Sequence, residues 1–143
     1  MTFSKMHSAG FLANLMARKF AASLQQEVRD LGLAPAQFMV LAEMSDQDGL
    51  TQRQLVERLE VEQATMANTL ARMERDGLID RVASKTDRRA KCVFVTDKGR
   101  DVLEIAFHRA QKVNATATSD LTPLEREMFV KLMKRVIETL KRR

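Results

Sequence analysis

The sequence is poor in cysteine, glycine and histidine, and each scarcity argues against a class of protein. Its 143 residues include one cysteine, Cys92, so no disulfide can form within the chain, and a reducing cytoplasm fits. Five glycines and two histidines supply neither a phosphate-binding glycine-rich loop nor a metal-ligand cluster, and no nucleophile–histidine spacing is evident. We therefore expect no enzyme, no metal site and no cofactor.

Long apolar runs are also missing. Arg18 and Lys19 interrupt the first apolar stretch too early for the core of a secretory signal, and no run approaches the ~18 residues of a membrane span. We therefore expect a cytoplasmic protein. Hydrophobic residues at 45% and charged residues at 30% are typical of one globular domain, residues 1–143. The net charge of +5 favours a polyanionic partner.

Apolar periodicity and capping residues predict six helices. Residues 4–31 read as one long helix that ends at Gly32, with an apolar side chain at every fourth position from Leu12 to Val28 and another at Leu31. Pro35 suits the first position of a second helix, and Thr51 with Gln54 forms a capping box for a third. Further helices are predicted at about 63–76 and 97–118, and a sixth opens with the capping sequence TPLE.

The third and fourth helices are joined by only three or four residues, which is the spacing of a helix-turn-helix. The segments LIDRVAS and AKCVFVT are strand-like and flank the triplet DRR at residues 87–89, so they predict a β-hairpin. A helix-turn-helix followed directly by such a hairpin is a winged helix. The sequence thus predicts a mainly α fold with a small β-wing.

Two segments resemble the MarR family of bacterial transcription regulators. They are LTQRQLVERLEVEQATMANTLARMERDGLI and DRRAKCVFVTDKG, the second of which ends in T-x-x-G at a helix start. The resemblance covers nearly the whole chain. It implies a winged helix-turn-helix at 33–97, flanked by N- and C-terminal dimerisation helices at 4–31 and 98–143. It departs from the family at Glu60, where the turn often carries glycine, so the turn is expected to differ slightly.

The family also implies that the protein binds DNA and responds to a small-molecule effector. Each subunit of a homodimer would present one winged helix to half of a near-palindromic double-stranded DNA operator. Many members release DNA when a small aromatic acid or phenolic effector binds between the dimer and DNA-binding regions, so we expect a repressor. The alternative is a winged-helix protein-interaction module that binds no DNA.

Helical geometry divides the fourth helix into two faces. Met66, Leu70 and Met73 fall on one face and are expected in the core. Polar residues near the start of a recognition helix usually touch base edges, and later arginines are better placed for phosphates. The candidate DNA-binding residues are Thr51, Gln63, Ala64, Thr65, Asn68, Arg72 and Arg75, with Asp87, Arg88 and Arg89 of the wing.

Alternation along the extended wing separates its charged residues. Asp87 and Arg89 point the same way and Arg88 the other, so we expect an Asp87–Arg89 ion pair that stiffens the tip. Arg88 is then expected to enter the minor groove, where negative potential attracts arginine. The sequence does not decide which arginine enters, and a plain charged turn is the alternative.

Two further sets of side chains have competing interpretations. Phe11, Phe38, Met39 and Phe107 either are ordinary core residues or line an effector cavity, with Arg18 or His7 pairing an anionic ligand. On the second wing strand, Val93 and Val95 are expected to face the core and Cys92 to be partly exposed. We expect no redox role for Cys92, because Lys91 is its only basic neighbour in the sequence.

Overall fold

The computed structural model describes residues 2–87 and 89–143, and within them the chain forms six α-helices and a three-stranded sheet. The helices are α1 (Ala9–Val28), α2 (Pro35–Asp46), α3 (Gln52–Leu59), α4 (Gln63–Arg75), α5 (Asp97–Ala117) and α6 (Pro123–Lys141). The strands are β1 (Leu50–Thr51), β2 (Ile79–Ala83) and β3 (Lys91–Val95). The predicted fold, mainly α with a small β-wing, is confirmed.

The single helix predicted over residues 4–31 is wrong at both ends. A 3₁₀ turn at Lys5–His7 precedes α1, and Ser8 caps α1 by accepting the backbone N–H of Phe11 at 3.2 Å. A serine side chain that bonds a backbone amide favours a helix start over a helix interior. A second 3₁₀ turn, Arg29–Leu31, tightens the other end, and Gly32 follows it with φ 68° as the expected cap.

Local capping places the other helix starts as predicted. The Thr51 hydroxyl accepts the Gln54 backbone N–H at 3.1 Å, while the Gln54 side chain accepts the Thr51 N–H at 2.9 Å. Thr122 and Glu125 form the same reciprocal pair before α6. The hydrogen bonds from Thr122 also hold the pKa of Glu125 below its ordinary value. Each pair satisfies two amides that would otherwise lack partners at a helix start.

The sheet has the order β1-β3-β2 with both pairs antiparallel. The predicted hairpin is present, and β1 adds a strand that was not predicted because it is only two residues long. Leu50 pairs with Val93, and Ile79 pairs with Val95. All four of these side chains are buried, and Cys92 is half-buried as expected. The sheet therefore closes one side of the winged-helix core, against α3 and α4.

The segment T-x-x-G joins the wing to α5. Thr96 donates its backbone N–H to the Leu78 carbonyl at 3.0 Å, and its hydroxyl both donates to the Gly77 carbonyl and accepts the Gly99 N–H. Gly99 is buried, and a Cβ there would lie 2.2 Å from the Leu78 oxygen. Only glycine permits this close approach of α5 to the start of β2.

The helices α1 and α5 are joined by a polar contact, whereas α6 has few contacts with the rest of the chain. Arg109 of α5 donates to the Glu27 carbonyl at 2.8 Å and to the Asp30 carboxylate, and so holds α5 against the end of α1. Hydrogen bonding from Arg109 lowers the pKa of Asp30.

In contrast, no residue of α6 is buried in the described part of the chain. Its apolar side chains Leu124 and Leu140 are 72% and 60% exposed. An apolar helix face left open in this way needs a covering surface.

None of the helices in the described ranges combines the length and the apolar character needed to cross a membrane.

Candidate functional site

The solvent face of α4 carries the side chains predicted for base readout. Gln63, Thr65 and Asn68 are exposed, as is the small Ala64 between them. The opposite face, formed by Met66, Leu70 and Met73, is buried. The predicted division of this helix into a core face and a solvent face is confirmed, and contact between the solvent face and DNA stays a prediction.

Two arginines continue the solvent face of α4. Arg72 and Arg75 are exposed in the last turns of the helix. Arg75 donates from Nε to the Asp76 carboxylate at 3.2 Å, whereas Arg72 has no carboxylate partner within residues 2–87 and 89–143. Arg72 is therefore the more available of the two for a phosphate.

The turn before α4 adopts its conformation without glycine. Glu60 caps α3 with φ 53° and ψ 46°, in the left-handed region that favours glycine. Glu60 thus adopts a conformation in which a non-glycine residue is strained, and a difference of the turn from the family stays a prediction. On the other side of this turn, Gln52 donates to the side chain of Gln63 at 3.3 Å, which ties the starts of α3 and α4 together.

The wing tip is ordered by Asp87, through a contact that differs from the predicted one. Its carboxylate accepts the backbone N–H of Arg89 at 3.0 Å, and its carbonyl accepts the N–H of Ala90 at 3.1 Å. Within the described residues, no ion pair joins the side chains of Asp87 and Arg89, and the Asp87 carboxylate orders the turn itself. Arg88 lies outside the described residues.

The wing and the helix-turn-helix enclose a basic groove of about 560 Å³. Predicted residues Thr51, Gln63, Asp87 and Arg89 line it, so the structure brings together residues from three separate segments of the chain. Sequence reasoning missed the other polar residues of its lining, among them Gln52, Arg53, Arg81 and Lys91. Among the described lining residues four are cationic and only Asp87 is anionic. This charge distribution suits a polyanion.

Arg81 of β2 connects the wing to α4. Its Nη2 donates to Glu74 at 2.9 Å, and only 24% of the Arg81 side chain is exposed. The hydrogen bond from Arg81 lowers the pKa of Glu74, and the same bond raises the pKa of Arg81. The Nε atom of Arg81 is buried without a hydrogen-bond partner. This partly buried ion pair joins β2 of the wing directly to α4.

Three of the five predicted effector residues meet at one cavity. Phe38, Met39 and Phe107 contribute to a cavity of about 710 Å³ bounded by α1, α2 and α5. The rings of Phe38 and Phe107 pack edge to face, with centroids 5.7 Å apart and planes at 86°. This volume lies in the usual range for small-molecule sites. Binding of an effector by these residues stays a prediction.

The other predicted effector residues lie elsewhere on the chain. Phe11 and Arg18 belong to α1 but are not among the residues that line the cavity. The ring of Phe11 instead has Nζ of Lys5 at 6.0 Å from its centroid. His7 shares a hydrogen bond of 2.9 Å with the Ser4 hydroxyl. Within one chain, the cation expected to pair an anionic ligand is therefore not at this cavity.

Comparisons with known proteins agree with this architecture. The sequence model of the MarR family matches residues 31–90. The transcriptional regulator HosA of Escherichia coli O157:H7 is 31% identical over 122 residues, which cover 85% of this chain and 89% of HosA. Two solved structures of regulators are similar along most of both chains. BpsR of Bordetella bronchiseptica, whose DNA binding is regulated by 6-hydroxynicotinic acid, is 26% identical with a TM-score of 0.85, over 95% of this chain and 97% of BpsR.

The second structure is a MarR-family regulator from Listeria monocytogenes in complex with a 26mer DNA. It is 27% identical with a TM-score of 0.81, over 90% of this chain and 85% of that one. Fold and site thus define a winged helix-turn-helix transcriptional regulator rather than an enzyme. The chain belongs to the MarR family.

Proposed function

We propose that this protein is a sequence-specific repressor that binds a near-palindromic double-stranded operator as a homodimer in the cytoplasm and is released by a small aromatic or phenolic ligand. The observation that carries the DNA-binding part is the position of the polar face of α4 beside the basic groove of the wing. Similarity to the Listeria regulator solved with DNA supports it.

Base readout is assigned to the first half of α4. The carboxamides of Gln63 and Asn68 have the donor and acceptor geometry to pair with adenine, and the methyl group of Thr65 suits a thymine methyl. The cations of the groove contact phosphates, which sets affinity rather than sequence. Arg88 is still expected to enter the minor groove, and Arg89 is the described cation of the wing tip that lines the basic groove.

Dimerisation is assigned to residues 4–31 and 98–143, and DNA binding to residues 33–97. The exposed apolar side chains of α6, among them Leu124, Val136 and Leu140, support this division, because a second copy would cover them. Obligate interfaces are large and apolar in the same way. We expect light scattering to give twice the 16.3 kDa mass of the chain at micromolar concentration. A monomer mass under these conditions contradicts the dimer.

Release by a ligand is assigned to the cavity between α1, α2 and α5. It is bounded by α2 of the winged helix and by the two helices assigned to the dimer, so a ligand there contacts both regions. A ligand shifts the protein toward release only if it binds the released conformation more tightly than the DNA-bound one. Regulation of BpsR by an aromatic acid supports a small aromatic effector.

The experiment that tests the proposal begins with the genome of the source cell. Purified protein selects fragments from sheared genomic DNA, and a selected duplex is titrated beside a random duplex of equal length at several salt concentrations. We expect tighter binding to the selected duplex and a linear fall of log affinity with log salt concentration, as counterions are released. Equal and salt-insensitive binding to both duplexes, or none, favours the protein-interaction module.

A further inference from the structure

We propose that the effector cavity selects an uncharged aromatic ligand and discriminates against aromatic carboxylates. This inference rests on the proposed function, because it specifies the ligand of that site. Among the residues that the structure describes, the lining of the cavity contains no lysine, arginine, histidine, aspartate or glutamate. Its polar side chains are two carboxamides, Gln111 and Asn114, and the remaining lining is apolar.

The apolar part of the cavity suits flat aromatic groups. Phe38 and Phe107 present an edge-to-face pair, which offers both a ring face and ring edges to a third ring. Phe20 adds another aromatic side chain, and the flexible thioether of Met39 adapts to irregular shapes. Met39 and Phe107 are 50% and 38% exposed, so covering them with a ligand removes apolar surface from water.

The polar part of the cavity suits a neutral hydrogen-bonding group. Gln111 and Asn114 are three residues apart on α5, so their side chains lie on the same helix face. Each carboxamide both donates and accepts, and can bond a phenol, a carbonyl or an amide. A carboxylate in the same place would lose its hydrating water molecules and find no cation to pair with. Burial of an unpaired charge costs far more free energy than burial of a hydrogen-bonded neutral group.

Charged side chains lie in a neighbouring groove. Lys19, Lys112 and Glu27 line a separate space of about 350 Å³, and Phe20 and Val113 line both spaces. These two apolar side chains form part of the boundary between the two spaces, and neither lysine is among the residues that line the cavity. The expected ligand class accordingly differs from the aromatic acid that regulates BpsR.

The test uses ligand pairs that match in shape and differ in charge at neutral pH. The purified full-length protein is titrated by calorimetry with 4-hydroxybenzamide and 4-hydroxybenzoate, and with 6-hydroxy-2-naphthamide and 6-hydroxy-2-naphthoate. We expect the amide of a pair to bind at least about tenfold more tightly, equivalent to about 1.4 kcal/mol. A carboxylate that binds as tightly or more tightly overturns the inference, and its release of the selected duplex would leave the proposed function intact.

If none of the four compounds binds, both this inference and the proposed release of DNA by an aromatic ligand are overturned. Titration of the selected duplex without ligand then reports separately whether the DNA-binding function holds.

Substitutions at Gln111 test whether the absence of charge in the cavity causes the preference for the amide over the carboxylate. Gln111→Lys places a cation there and should reverse the preference toward the carboxylate by about tenfold. Gln111→Met keeps the size without charge and should retain the amide preference with weaker binding. Unchanged preference in Gln111→Lys contradicts the assignment of the cavity.

A lysine next to Gln111 in sequence provides the matched control. Lys112→Gln removes a charge from the neighbouring groove and should change each affinity by less than about twofold, as for a solvent-exposed charge. Selective loss of carboxylate binding in Lys112→Gln would show that the carboxylate reaches the second groove and pairs with Lys112, and would overturn the inference.

Discussion

Replacement of Gly99 by alanine should destabilise the protein by about 1–3 kcal/mol, although alanine is the better helix former. The added Cβ would lie 2.2 Å from the Leu78 carbonyl oxygen and 2.8 Å from Cγ1 of Val95. A carbon and a carbonyl oxygen ordinarily approach no closer than about 3.3 Å, so backbone must move by about 1 Å. Both neighbours belong to the base of the wing and cannot rotate away as a flexible side chain would.

The magnitude follows from three effects. Overpacking of a well-packed site costs about 1–3 kcal/mol. The Leu78 oxygen also accepts the N–H of Thr96 at 3.0 Å, and displacement of α5 weakens this hydrogen bond, at a cost of about 1 kcal/mol. The higher helix propensity of alanine returns about 1 kcal/mol. The net loss therefore remains close to the cost of overpacking.

Urea unfolding followed by circular dichroism measures the change at one fixed protein concentration, since the stability of the proposed dimer would depend on concentration. Gly10→Ala is the matched control, because Gly10 lies in α1 with nothing within 4 Å of its added Cβ. It should stabilise by up to about 1 kcal/mol. If Gly99→Ala has the same free energy of unfolding as the parent protein, the close approach of α5 to β2 is refuted. If Gly10→Ala loses as much stability as Gly99→Ala, the close approach does not cause the loss.

Three other substitutions have defined outcomes. Glu60→Gly should raise the free energy of unfolding by up to about 1 kcal/mol in urea, because Glu60 has φ 53°; a clear loss would contradict strain at the turn. Cys92→Ser should leave operator binding and its response to mild peroxide unchanged, because no second cysteine exists to resolve an oxidised thiol; loss of a peroxide response in this variant would make Cys92 a sensor. Glu74→Gln should cost stability at neutral pH, because the pKa of Glu74 is lowered by Arg81 and the pair therefore stabilises the fold above the ordinary carboxyl pKa. The difference from the parent protein should shrink as pH falls through the lowered pKa, and a difference independent of pH would contradict the ion pair.

Features that depend on neighbouring residues could be predicted from the sequence. Thr51 with Gln54 and Thr122 with Glu125 signal helix starts within four residues, and both capping boxes are present. The buried face of α4 followed from helical periodicity alone. The boundaries of α1 could not be found in this way, because Leu31 extends the apolar stripe beyond the end of α1 and the start depends on the hydrogen bond of the Ser8 cap.

Features that depend on contacts between distant segments of the chain could not be predicted from the sequence. β1 is a strand only because Leu50 meets Val93, which is far along the chain. The role of Arg81 required the distance to Glu74 across the junction of α4 and β2. The uncharged lining of the cavity is likewise a property of three helices together, and no single helix face shows it. A sequence pattern therefore identified the solvent face of α4 but not the uncharged lining of the cavity.

The central claim is that α4 reads bases while the wing supplies phosphate contacts, and one set of titrations tests it most directly. Parent, Asn68→Ala and Arg89→Ala are titrated with the selected duplex and a random duplex at several salt concentrations. Asn68→Ala should lose about 1–3 kcal/mol on the selected duplex and almost nothing on the random one. Arg89→Ala should weaken both and flatten the salt dependence by about one unit of slope. Unchanged affinity of both variants for both duplexes would contradict DNA recognition by this face and wing.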